Sequence, residues 1–174
     1  NEMQTKMNLK IKFRESFRPF APSIIREKVN DWYDFNSDSP YMLFVAPVKK
    51  ERCYNVRDEE NRLFGLEKLK IKRSEIPAVT HIDYTARIQT VDKLVNPRYY
   101  KLLSKFEKIT SCPTIVNTSF NVRGEPIVCS PQDSYNCFMR TEIDILVIDN
   151  FLLYKQDQPN FKEKENWKKK FKLD

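Results

Sequence analysis

The sequence predicts one α/β domain built on a sheet of mixed strand direction. Three observations point there. Strand-like apolar runs at 42–48, 85–91, 114–116, 143–148 and 151–154 alternate with helix-like spacing at 1–11, 23–34, 97–110 and from Ser130 onward. The 174 residues are 40% hydrophobic and 13% aromatic, enough for one compact core. No internal repeat or low-complexity segment breaks the pattern.

Each element follows from local chemistry. Residues 1–11 place Met3, Met7 and Ile11 four apart, on one helix face. Pro19 and Pro22 end any helix and make the chain extended. Ser23 is expected to cap a helix over 23–34 whose apolar positions are Ile24, Ile25, Val29 and Trp32. The run 42–48 reads as a buried strand. Residues 49–75, dense in charge, read as a surface excursion with almost no core signal. The stretch 85–91 alternates as a strand does, and 97–110 carries Tyr100, Leu103 and Phe106 at helical spacing. The short strand 114–116 feeds the loop 117–124. Ser130-Pro131 opens a helix, with Ser as the cap and Pro in the first turn. Residues 143–148 and 151–154 form two strands joined by a tight Asp149-Asn150 turn. The domain is therefore placed at 1–154, with a charged tail at 155–174.

Several function classes are excluded or disfavoured by composition. No run approaches the roughly 18 apolar residues of a membrane span, and no signal-peptide stretch opens the chain. A cytoplasmic protein without membrane contact is expected. Cys53, Cys112, Cys129 and Cys137 form no CxxC pair, and with the single His81 they make no zinc pattern. They read as reduced, buried structural thiols. The two glycines, Gly65 and Gly124, are too few for a P-loop or a dinucleotide fingerprint. Any phosphate must be held by side chains or helix N-termini. The net charge of +7 invites a nucleic-acid reading. Residues 155–174 contribute seven Lys against four acids, leaving +7 − 3 = +4 for the rest. Lys168, Lys169, Lys170 and Lys172 read as a solvated helix face or frayed end.

Three polar groupings interrupt this foldable frame. Alternation in Lys12-Phe13-Arg14 puts both cations on one side of an extended segment, a clamp for polyphosphate or simply a solvated edge strand. In 80–87, His81 could donate a hydrogen bond or move a proton, and equally could be structural. Arg87 shares a strand face with Thr85 and Gln89, opposite Ile88, and could face a polar cavity or bulk solvent. In the loop 117–124, Ser119 and Asn121 can bind phosphate oxygens or a ribose, and Arg123 adds charge, unless they only form the turn. In open α/β sheets ligands bind beyond the carboxyl ends of strands, which is where this loop falls.

Read together, these residues are recognisable. Lys12-Phe13-Arg14 continuing through Arg18-Pro19-Phe20-Ala21-Pro22-Ser23, with Ser39-Pro40-Tyr41-Met42, Ala78-Val79-Thr80-His81 and Asn117 through Ile127, resembles the C-terminal domain of NodU/TobZ-type carbamoyltransferases. The resemblance covers about residues 3–154. It implies a YrdC-like fold, a twisted mixed sheet with flanking helices around a basic cavity. The shared KxR and SxN signatures fall on Lys12-Phe13-Arg14 and Ser119-Phe120-Asn121. By resemblance Lys12, Arg14, Ser119 and Asn121 hold ATP and the carbamoyl group, Arg87 adds a contact, and His81 and Arg123 are possible additions. The implied reaction forms carbamoyladenylate from carbamoyl phosphate and ATP, with Mg²⁺. A separate N-terminal Kae1-like domain, with an iron site, would pass the carbamoyl group to its acceptor. The chain opens at Asn1 rather than Met, and a piece of a longer protein is expected. No covalent nucleophile and no metal site are expected within it. The alternative reading is a non-catalytic YrdC-like module that binds a nucleotide or RNA, with nucleic acid the less expected partner. Threonylcarbamoyl-AMP synthesis and a purely structural role rank below both.

Overall fold

A computed structural model describes residues 2–161 and Trp167. The chain divides into two compact units, Pro19–Thr118 and Glu2–Arg18 together with the chain from Ser119 onward. The α/β class expected from the sequence is the one observed.

The first unit holds a four-stranded sheet. β1 (Ala21–Ile25), β2 (Phe44–Pro47), β3 (Thr85–Val91) and β4 (Thr114–Asn117) lie in the order β2-β3-β1-β4. β1 and β3 are parallel, while β2 runs antiparallel to β3 and β4 antiparallel to β1, so the sheet is mixed. Ile24 and Ile88 are fully buried, and Ile25, Val91 and Leu103 pack with Tyr99, Tyr100 and Ile115. Leu103 comes from α1 (Pro97–Thr110), which Asn96 caps by accepting from the Tyr99 N–H at 3.3 Å.

The expected helix over 23–34 is replaced by strand β1, then a 3₁₀ turn at Arg26–Lys28 and one helical turn at Val29–Trp32. Pro22 pushes Ala21 toward extended backbone, and the β-branched Ile24-Ile25 pair favours a strand. Pairing on both sides buries every residue of β1, which removes the alternation that would have marked it. Pro22 precedes the register with β3, which starts at Ser23, so its missing N–H removes no bond from that ladder. Ser23 is no cap; its hydroxyl donates to Gln89 Oε1 at 2.5 Å.

The run 42–48 also differs. β2 is an edge strand with only Ala46 buried, and Leu43, Phe44 and Val45 are exposed. Residues 49–75 are more than a surface excursion: Ile71, Arg73 and Ser74 are buried. The Arg73 guanidinium donates to the Ile71 and Lys68 carbonyls, and the Ser74 and Thr80 hydroxyls meet at 2.7 Å.

The second unit begins with a helix, Glu2–Met7, that runs into a π turn at Asn8–Lys12. Pro131–Arg140 forms another helix, with Ser130 and Asp133 in a reciprocal capping box. Ile145–Ile148 and Phe151–Tyr154 pair antiparallel across a turn in which Asp149 takes φ 51. The tail lysines 168, 169, 170 and 172 lie outside the described residues. Trp167 does not behave as a free tail: its ring lies 5.3 Å from Phe13 and 5.9 Å from the Arg140 guanidinium.

Candidate functional site

The second unit brings the two signatures together. Lys12 is the last residue of the π turn and is 5% exposed. Its ammonium reaches four oxygens: Ser119 O at 2.7 Å, Ser119 Oγ at 3.2 Å, Asn121 O at 2.8 Å and Asn121 Oδ1 at 2.6 Å. The Ser119 hydroxyl donates to Asn121 Oδ1 at 2.7 Å, and the Asn121 amide donates to Glu125 O at 2.7 Å. The loop is thus threaded on one cation, with the Ser119 side at the surface.

The extended clamp expected for Lys12-Phe13-Arg14 is corrected here. Phe13 sits in the left-handed region at φ 50, so the segment turns instead of alternating. Arg14 is placed by Asn8, whose Oδ1 accepts from the Arg14 Nε at 2.6 Å. Asn8 is itself fully buried and donates to Ser16 O and Arg18 O at 3.1 and 2.8 Å. Arg123 N donates to Lys12 O at 3.2 Å, and its guanidinium pairs with Glu15 at 3.6 Å.

Charge follows from this packing. Burial, and then the Arg14 charge, lower the Lys12 pKa from 10.5 to about 8, against the opposing pull of Cys137 and Glu125. Arg14 is lowered too, by burial and by Arg18. Cys137 is pushed up to about 12 by burial and by Glu125, which keeps its thiol protonated at neutral pH.

Arg87 and His81 belong to the first unit. On β3, Ala86 and Ile88 are fully buried and Arg87 is exposed on the other face, opposite Val45 in register with β2. His81 is half-buried; its N–H donates to Thr85 O at 2.8 Å, closing a turn in which Asp83 accepts from the Thr85 amide and hydroxyl at 3.0 and 2.7 Å. In the same unit Gln89 accepts from Ser23 and from the Asn117 amide at 2.6 Å, and donates to Pro40 O at 3.0 Å. It borders a cavity of about 580 Å³ beyond the carboxyl end of β3.

Sequence reasoning missed Asn8, Glu125, Cys137 and Arg140. Glu125 lay in the block that carries the resemblance, but its partner Arg140 is fifteen residues away and carries no local signal. Among the described residues, no group of three or more His, Cys, Asp or Glu is placed to hold a metal ion. None of the described helices is long and apolar enough to cross a membrane.

The first unit is an α/β sheet layer, and the second gathers Lys12, Ser119 and Asn121 at one loop. The family follows from comparison: residues 1–155 match the model of the carbamoyltransferase C-terminus, and the chain belongs to that family. It is 58% identical to an uncharacterized protein of Synechocystis sp. over 99% of this chain and 28% of that protein. It is 36% identical to nodulation protein NolNO of Sinorhizobium fredii over 87% of this chain and 20% of the relative. It is also 36% identical to nodulation protein NolO of Bradyrhizobium diazoefficiens, over 89% of this chain and 25% of the relative. The chain therefore spans less than a third of the length of these relatives.

Proposed function

We propose that this chain is the carbamoyl-activating part of a carbamoyltransferase, acting on carbamoyl phosphate and ATP. The observation that carries this reading is the Lys12 ammonium gathered with Ser119 and Asn121 at 2.6–3.2 Å. It unites the two signatures and sets a cation, a hydroxyl and an amide at one loop. Net chemistry consumes one water. Carbamoyl phosphate, ATP and water give carbamoyladenylate, pyrophosphate and inorganic phosphate, with a carbamate oxygen displacing pyrophosphate at the α-phosphorus.

Such a displacement asks a protein for position and positive charge more than for covalent help. In the second unit Lys12 and Arg14 are to hold phosphate oxygens, Ser119 and Asn121 to orient the phosphate or carbamoyl group, and Arg123 to add charge; in the first unit Arg87 and His81 are separate candidates for an anion contact. Mg²⁺ would come with the nucleotide and offset phosphate charge, leaving this chain's own residues to hold and orient the nucleotide. Transfer to the acceptor, and any iron, belong to the part of the longer protein that this chain does not contain. The family match favours this reading over a nucleic-acid module.

The test is pyrophosphate release by the chain with Mg-ATP, with and without carbamoyl phosphate, beside calorimetry of Mg-ATP. Release that needs carbamoyl phosphate and is lost in Ser119→Ala supports activation. Absence of both pyrophosphate release and Mg-ATP binding overturns it.

A further inference from the structure

The loop that carries Ser119 and Asn121 is held from below by a buried ion pair. Glu125 Oε1 accepts from the Arg140 guanidinium at 2.9 Å, and both side chains are 9% exposed. The other oxygen, Oε2, accepts from the Val122 N–H at 3.0 Å, while Glu125 O accepts from the Asn121 amide at 2.7 Å. One residue therefore fixes two points of the loop, and the loop in turn supplies all four oxygens around Lys12. Val122, between them, is 1% exposed, so the loop has little room to shift. Gly124, at φ 76, allows the chain to double back so that Glu125 meets Val122.

We propose that Glu125 and Arg140 are positioning residues for the anion site: Glu125 pins the 119–125 loop over Lys12 and lends it a fixed negative neighbour, and Arg140 holds that carboxylate in place. The inference rests on the activation reading for what the anion is, but not for the geometry. A carboxylate near a phosphate site at first looks adverse. Its two oxygens, however, face Val122 N and Arg140. Its charge is compensated locally, and what reaches Lys12 favours the protonated ammonium. Among the described residues, the groups bearing on Lys12 are Arg14, which opposes its proton, and Cys137 and Glu125, which favour it; Arg140 in turn bears on Cys137 and lowers its pKa.

The experiment uses the full chain with Glu125→Gln and, as the conservative partner, Glu125→Asp. The Lys12 side-chain resonance, assigned by its loss in Lys12→Met, is titrated by NMR, and exchange of the Val122 amide is followed. Glutamine keeps an oxygen for Val122 but removes the charge. It is expected to lower the Lys12 midpoint and to weaken Mg-ATP about tenfold near pH 8, with a smaller loss near pH 6. Aspartate keeps the charge but falls one methylene short. It is expected to restore the midpoint in large part while Val122 exchanges faster. A Lys12 midpoint that stays put in Glu125→Gln, or rises toward 10.5 as a merely loosened loop would cause, overturns the inference. If Glu125→Gln does not fold, unchanged Val122 exchange in Glu125→Asp overturns it. Wild-type chain that fails to bind Mg-ATP removes the activation reading, while the titration and exchange still decide the role of Glu125.

Discussion

Burying Lys12 makes a stability prediction that separates its charge from its stem. In the folded chain its pKa is about 8, against 10.5 for an unperturbed lysine. Between these values the unfolded state binds more protons than the folded one, so stability rises with pH across the window and is flat below it. At 1.36 kcal/mol per unit, the gap of 2.5 units corresponds to up to about 3 kcal/mol gained between pH 8 and 10.5. Lys12→Met keeps an apolar stem of similar length and abolishes this term. The assay is urea unfolding of both proteins from about pH 7 to about pH 10.5. With Trp32→Phe as background, Trp167 is the single tryptophan and reports the second unit. The wild-type stability is expected to climb relative to the variant by about 2–3 kcal/mol over that range. Other titrating groups are common to both and cancel in the difference. Curves that stay parallel within about 0.5 kcal/mol would refute the reasoning, since Lys12 would then titrate alike in both states.

Three shorter predictions follow from other contacts. Trp167→Ala removes the ring packed on Phe13 and Arg140, and should destabilise the second unit by about 2 kcal/mol, read as an earlier Phe13-side transition in urea. Removal of 156–174 takes away the same ring and should therefore also cost stability. Cys137, fully buried with a pKa near 12, should resist a thiol reagent in native buffer at about pH 8 and react only as the unit opens, while exposed Cys129 reacts first. Arg87→Met should leave stability within about 0.5 kcal/mol, because the side chain is exposed on β3, and should weaken carbamoyl phosphate binding by calorimetry; unchanged binding removes Arg87 from the proposed contacts.

Much of the fold was legible because its signals are local. Thr85–Val91 alternates, and Pro97–Thr110 has a cap, a proline in its first turn and apolar residues at helical spacing; both appear with the expected bounds. The elements misread are those whose state is set by neighbours in space. β1 is flanked by strands on both sides and loses the period of two, so its apolar run looked helical. β2 has the same composition as a buried strand but ends the sheet, and nothing in its own residues says so. The core role of Ile71, Arg73 and Ser74 was hidden among charges, since a buried arginine is recognisable only once its carbonyl partners are known. The meeting of Lys12 with Ser119 and Asn121 spans more than a hundred residues; family resemblance could suggest it, and spacing could not. Asn8 and Arg140 carried no signal at all, because each acts by holding another side chain.

On the proposed reading, a site for polyphosphate without a glycine-rich loop has to solve a conflict. Backbone amides carry no full charge and tolerate burial, whereas a lysine bright enough to attract phosphate is costly to bury when the site is empty. This chain answers with oxygens that carry no net charge. Carbonyls and an amide oxygen at 2.6–2.8 Å solvate the Lys12 ammonium without neutralising it, and its lowered pKa is what remains of the burial cost. On the proposed reading an arriving phosphate acts on Lys12 through its charge, restoring the ordinary affinity for a proton, since the ammonium N–H groups already face Ser119 and Asn121. Binding near pH 8 should accordingly take up protons, and affinity for an anion should fall as pH rises through the Lys12 midpoint, where the free site loses its charge. A fixed arginine in place of Lys12 would remove that dependence: whatever its absolute affinity, Lys12→Arg should keep a flat profile above pH 8, where the wild type falls.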